Sequence, residues 1–168
     1  MTVDRHAAEQ LAALRDVGAA LDRAGIDHWL FGGWAVDFYA GAVTRPHDDV
    51  DLAVWLEDVP RTRELLDAEG WRHAPDPDED GGTGYERGGI RLELTFLVRG
   101  RDGATCIPLR AGLARWGDDV FADDRLELEG VRARVISLSA LRRGKSAPRD
   151  DPDDAAKDRA DFDNLAGF

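Results

Sequence analysis

Asp49 and Asp51, one residue apart in the run DVDLAVW, are the residues whose type and spacing most directly suggest chemistry in this sequence. Side chains alternate along a strand, so the two carboxylates would share one face while Val50 and Leu52 point to the other, toward a core. Like charges held that close repel and raise one pKa unless a cation lies between them, which makes the pair a candidate Mg²⁺ ligand set. A bare Asp-x-Asp is more often two solvated residues of a strand, so its neighbours carry the argument. Gly32-Gly33 lies upstream, between an apolar run and Trp34. Glycines there let backbone N–H groups come close to a ligand, and a helix starting at Trp34 would aim its free N–H groups and positive dipole end at an anion such as a triphosphate tail. Glu93 sits in IRLELTFLV, where Arg91, Glu93 and Thr95 share one face and Leu92, Leu94 and Phe96 the other. If that strand lies beside the aspartates, Glu93 completes a triad. Three carboxylates allow two metal ions, one polarising an α-phosphate and one lowering the pKa of an attacking hydroxyl, and Glu93 could itself take the proton.

Weaker candidates surround this set. Arg45 and His47 could contact phosphate oxygens, and Lys145 or Lys157 could reach them from the C-terminal part, although basic residues near loops are usually just solvated. Trp34, Tyr85 and Trp116 could stack on a base or sugar ring, although isolated aromatics are more often core.

The elements that would position these residues follow from periodicity and turn signals. Leu11, Leu14, Val17 and Leu21 recur at helical spacing between His6 and Ala24, and Gly25 ends that helix. His28–Phe31 reads as a strand, Trp34–Ala40 as a helix, Asp49–Trp55 as a second strand and Pro60–Glu69 as a helix stopped by Gly70. PDPDEDGGTG, residues 75–84, reads as a surface loop that could reach over a site. Gly88-Gly89 predicts a hairpin between Tyr85–Arg87 and Ile90–Val98, and Glu129-Gly130 another within Leu126–Ile136. Ser137 is a candidate N-cap for a helix through Arg143, Ala147–Asp154 a linker, and Ala155–Ala166 a terminal helix with Ala160, Phe162 and Leu165 available for packing. The expected class is α+β, with a small mixed sheet flanked by helices, in a single domain spanning residues 1–168.

Composition narrows the partners. The chain has 168 residues, 43% of them hydrophobic and 33% charged, which suits one folded domain with a core. A net charge of -12 argues against nucleic acid as a partner and favours cations, whether metal ions, a cationic small molecule or simply solvent. With no apolar run near ~20 residues and no signal-like N-terminus, neither a membrane nor secretion is expected, and the cytoplasm is the default location. The single cysteine, Cys106, reads as a small buried apolar residue.

GGW followed by Asp-x-Asp, after a turn carrying Arg45 and His47, resembles the antibiotic nucleotidyltransferases of the DNA polymerase β superfamily, densely so from Trp29 to Leu52. It is most similar to the aminoglycoside 2″-nucleotidyltransferases and the short lincosamide nucleotidyltransferases. The resemblance implies a polymerase β-like fold in which Asp49 and Asp51 bind both metals, Glu93 is the third acidic residue and candidate base, and Gly32-Gly33 holds the triphosphate. It also implies two Mg²⁺ ions and ATP or another NTP, with the nucleoside monophosphate passed to a hydroxyl of a small molecule. The carboxylates Asp76, Asp78, Glu79 and Asp80 of the loop would suit a cationic acceptor such as an aminoglycoside or lincosamide. A metabolite or protein side chain as acceptor, or a catalytically silent NTP-binding protein, are the alternatives the sequence leaves open.

Overall fold

Asp4 opens the first element by accepting a hydrogen bond from the backbone N–H of Ala7, the arrangement of a helix N-cap. The computed structural model describes residues 2–167, so that Met1 and Phe168, the two ends of the expected domain, lie outside it. In chain order the elements are α1 (Arg5–Arg23), β1 (His28–Phe31), α2 (Gly32–Ala40), β2 (Val50–Trp55), a 3-10 turn (Leu56–Asp58), α3 (Val59–Ala68), β3 (Arg72–His73), β4 (Gly82–Arg87) and β5 (Ile90–Arg99). They continue with β6 (Thr105–Leu109), β7 (Gly112–Gly117), β8 (Phe121–Leu128), β9 (Val131–Ile136), α4 (Leu138–Ser146) and α5 (Pro152–Asn164).

The strands form a mixed sheet in the order β3-β4-β5-β2-β1-β9-β8, with β6 and β7 as a hairpin attached to β5. β2 runs parallel to β5 and antiparallel to β1, while β1 runs parallel to β9. One row across the sheet shows why the hydrophobic pattern fixes the register. Leu30 pairs with Leu52, and Leu52 with Leu94, and all three are buried in the core. Burying each such leucine contributes about 1.5–3 kcal/mol, and a one-residue slip would turn all of them to the opposite face. α1 packs its buried stripe, Leu11, Leu14, Val17 and Leu21, toward that core and contacts β9, β5 and α3.

The next row lies on the opposite face, where Phe31 pairs with Asp51, Asp51 with Glu93, and Glu93 with Gly84. α4 and α5 pack against each other and against α2 on that side. The α+β class and the mixed sheet match expectation, but the sheet holds more strands than the sequence displays. β3 is only two residues long, and the β6–β7 hairpin is built from TCIPL and GLARWG, where Pro108 and two terminal glycines break the alternation. β4 starts at Gly82, inside the segment expected to be loop, and α5 starts at Pro152, inside the expected linker, with Asp151 as its N-cap. The expected packing face of α5 also needs correction. Leu165 is buried, but Phe162 is an exposed large hydrophobic, and the residues of the helix itself that are buried are Asp158 and Asp161.

Candidate active site

β2 begins at Val50, so Asp49 stands just before the strand and Asp51 is its second residue. Both are half-buried, their carboxyls hydrogen-bond each other, and both titrate above the ordinary aspartate range. For Asp49 the causes are burial and then the charge of Asp48. Asp51 is raised well above it by burial, then by Asp49 and Glu93, with Lys145 acting in the opposite direction. Two carboxyls in hydrogen-bond contact are compatible only if they share a proton or hold a cation.

Glu93 is brought beside Asp51 by the parallel β2–β5 register, which places paired backbones about 4.8 Å apart. Its side chain, 19% exposed, accepts a hydrogen bond from Arg91 Nε and also contacts Glu79. Burial, then the Glu79 contact, raise Glu93 to about 8 against the opposing pull of Arg91. Among the described residues no three His, Cys, Asp or Glu side chains already form a metal cage, because Glu93 is turned toward Arg91 and Glu79. The donor set nevertheless fits a hard divalent cation. Asp49 and Asp51 offer only carboxylate oxygens, which Mg²⁺ prefers, and their raised pKa values mark charge that a cation would neutralise.

Gly32 and Gly33 form the first turn of α2, a helix with no side-chain cap, so its leading N–H groups are open to an anion. Gly32 has φ +72°, and a Cβ there would collide with Asp51 Oδ2. A Cβ on Gly33 would lie 2.5 Å from His47 Nδ1 and 2.7 Å from Arg45 Nη2. The glycine turn, the basic turn and the carboxylate strand therefore meet at one place, although they are separate stretches of sequence.

These residues line a cleft of about 630 Å³ that also contains Phe31, Thr95, Ile107, Trp116, Lys145 and Lys157. Arg45 lies in its wall, held by two hydrogen bonds to Asp161. His47 is buried, and its Nε2–H donates to Asp37, which also accepts from the backbone N–H and hydroxyl of Thr44. Lys157 pairs with Asp48, and Lys145 with Asp158 and Asp161. Trp116 packs edge-on against Phe31 at 5.5 Å.

Stacking by Trp34 and Tyr85 does not survive. Both side chains are buried, Trp34 against His47, because α2 and β4 turn them into the core. Trp34 can offer a ligand only its backbone N–H at the start of α2. Sequence reasoning missed Arg91 and Glu79 as the partners of Glu93, and Asp158 and Asp161 as the partners of the basic residues. The i, i+3 spacing of Asp158 and Asp161, which puts both on one side of a helix, was the available signal for that pair.

Comparison with known proteins gives matches by sequence and by fold. The family model described as aminoglycoside-2″-adenylyltransferase matches residues 13–165. Curated 2″-aminoglycoside nucleotidyltransferases from Klebsiella pneumoniae and Escherichia coli are each 44% identical over 43 residues, 26% of this chain. The match spans only 24% of each relative's length. The solution structure of the antibiotic-resistance factor ANT(2″)-Ia superposes with a TM-score of 0.73 at 23% identity, covering 95% of this chain and 86% of that one. Lincomycin-bound lincosamide antibiotic adenylyltransferase LnuA superposes with a TM-score of 0.70 at 18% identity, covering 98% of both chains. These two likenesses are of fold, the nucleotidyltransferase fold of the polymerase β type.

Proposed function

The chain belongs to the aminoglycoside-2″-adenylyltransferase family, and from that premise we propose that it transfers AMP from ATP to a hydroxyl of a small cationic antibiotic, an aminoglycoside or a lincosamide, with Mg²⁺ as cofactor. The whole chain is read as one such domain acting in the cytoplasm. The observation that carries the reading is the meeting of Asp49, Asp51 and Glu93 with the uncapped start of α2, where Gly32 lies against Asp51. Carboxylates beside an anion site are what a metal-bound nucleotide requires.

In this reading Asp49 and Asp51 hold the metal, with Glu93 as a further ligand once released from Arg91. Bound Mg²⁺ would neutralise charge on the polyphosphate and acidify the acceptor hydroxyl. The backbone N–H groups of Gly33 and Trp34 orient the phosphates, assisted by the Arg45 guanidinium. Glu93, in its charged form, takes the proton as the acceptor oxygen bonds to the α-phosphorus and the bond to the bridging oxygen breaks, releasing pyrophosphate. Positioning in the cleft contributes the remaining acceleration. Glu79, which lines the cleft from the acidic loop, would offer a cationic acceptor an ionic partner, and this supports that acceptor class.

Pyrophosphate release with ATP and Mg²⁺, measured across a panel of aminoglycosides, lincosamides and neutral sugars, tests the reading. Release that requires a cationic antibiotic is expected. Release that is equal with neutral sugars, or absent throughout, would reject the acceptor class.

A further inference from the structure

Asp161 lies on α5, far along the chain from every motif recognised in the sequence, yet its side chain is 0% exposed and sits behind the wall of the cleft. It receives Arg45 Nε on Oδ1 and Arg45 Nη2 on Oδ2, both at 2.8 Å, and Lys145 Nζ on Oδ2 at 2.8 Å. Asp158, one turn earlier, receives Lys145 Nζ at 3.1 Å and Arg149 Nε at 2.8 Å. Burial by itself would raise the Asp161 pKa, but the hydrogen bonds from Arg45 and Lys145 outweigh it and hold the carboxyl below its ordinary range.

Two features of this cluster go beyond packing. Arg45 uses three of its five N–H groups on Asp161 and the Pro46 carbonyl, and Lys145 uses two of its three on Asp158 and Asp161. Both keep donors for a ligand, and Arg45 Nη2 is the atom that stands 2.7 Å from where a Cβ on Gly33 would be. Lys145 also already acts on Asp51 of the metal site, and Arg45 on Asp48, the chain neighbour of Asp49. Left without Asp161, Lys145 would be drawn onto Asp51, where it would compete with a metal, and Arg45 toward Asp48, away from the phosphate side.

We propose that Asp161 is a positioning residue that anchors Arg45 and Lys145 beside the glycine turn, presenting their remaining N–H groups to the polyphosphate of the nucleotide and keeping Lys145 off Asp51. The inference rests on the nucleotidyl-transfer reading. Asp161 touches neither substrate nor metal and acts through the two cations.

The test is a double-mutant cycle on ATP affinity, measured by titration calorimetry with Mg²⁺ in the full chain, beside KM and kcat. Asp161→Asn should weaken ATP binding about tenfold, the scale of one lost charge-assisted hydrogen bond, and leave the KM for the acceptor unchanged. In an Arg45→Gln, Lys145→Gln background the same change should have less than about a twofold effect, because the residues through which Asp161 acts are gone. A merely structural role would weaken ATP and acceptor alike, or weaken ATP equally in both backgrounds, and either result overturns the proposal. If Asp161→Asn does not fold, Arg45→Lys serves instead. Lysine cannot span both Asp161 oxygens and still reach the phosphate, so about tenfold weaker ATP binding is expected and unchanged affinity overturns the proposal. Failure of the wild-type chain to bind ATP would instead reject the nucleotidyl-transfer reading, and this inference with it.

Discussion

Asp51 and Glu93 are direct neighbours across two parallel strands, paired in register at the end of the sheet where the chain turns into α2. Parallel pairing needs a long crossover, and here residues 56–89 supply it, which is how two carboxylates so far apart in sequence come to share one face. Burial and the nearby Glu93 carboxyl disfavour the charged form of Asp51 in the metal-free protein, a cost that a cation bound there would relieve.

Removing either charge of the aspartate pair separates those two consequences. Asp49→Asn or Asp51→Asn should abolish transfer while raising the melting temperature in metal-free buffer, since a buried repulsion is relieved. Added Mg²⁺ should then stabilise the wild type more than either variant. Transfer within about twofold of wild type in both variants would misplace the metal site.

Glu93 should set a pH dependence of metal-free stability. Its pKa rises from 4.5 to about 8 on folding, so between those values the folded protein binds a proton that the unfolded chain has lost. The stabilisation is fully present below pH 4.5 and is lost as pH rises through 8. Melting curves of the metal-free protein should therefore fall from pH 5 to pH 8 more steeply in wild type than in Glu93→Gln, where this titration is absent. Parallel slopes would refute the assignment. In the same variant kcat should drop by about 10²- to 10⁴-fold with KM for ATP nearly unchanged if Glu93 acts as base, and excess Mg²⁺ should partly restore it if Glu93 is also a ligand.

The two glycines should fail differently. Gly32→Ala combines a φ of +72° with a collision at Asp51, so it should destabilise the fold and remove activity together. Gly33→Val instead pushes into Arg45 and His47 and should weaken ATP binding, a change that calorimetry on the folded variant would register. Unchanged ATP affinity in folded Gly33→Val would take the turn out of the site.

Much of this arrangement was legible because it is local. Alternation placed Asp49 and Asp51 opposite Val50 and Leu52, the double glycine announced the start of α2, and Gly88-Gly89 located the hairpin that delivers Glu93. The parts that were not legible depend on long-range pairing. A sequence cannot say that β5 runs beside β2, that Glu79 returns to touch Glu93, or that Arg45 will find Asp161 more than a hundred residues later. α5 misled because its buried residues are aspartates, which follow the helical period but not the hydrophobic one, and the β6–β7 hairpin was overlooked because Pro108 and its glycines mask its alternation.

Glu79 should tune the acceptor rather than the nucleotide. It lines the cleft from the acidic loop, and Arg110 fastens that loop to the end of the β6–β7 hairpin through the Glu79 carbonyl and Asp80. Glu79→Gln should raise KM for a polycationic acceptor several-fold, about the effect of one partly exposed charge pair, while leaving KM for ATP alone. Its loss should also lower the pKa of Glu93, moving the metal-free stability curve to lower pH. An unchanged acceptor KM would place the acceptor elsewhere.

The most direct test of the central claim is the mass of the acceptor after incubation with ATP and Mg²⁺, run side by side with wild type and Asp51→Asn. The expected result is an aminoglycoside or lincosamide gaining one adenylyl group, with pyrophosphate released in equal amount, with wild type only and not after chelation of the metal. Modification that persists in Asp51→Asn or in chelator, or ATP consumed without any adenylylated product, would contradict a metal-dependent transfer centre at Asp49, Asp51 and Glu93.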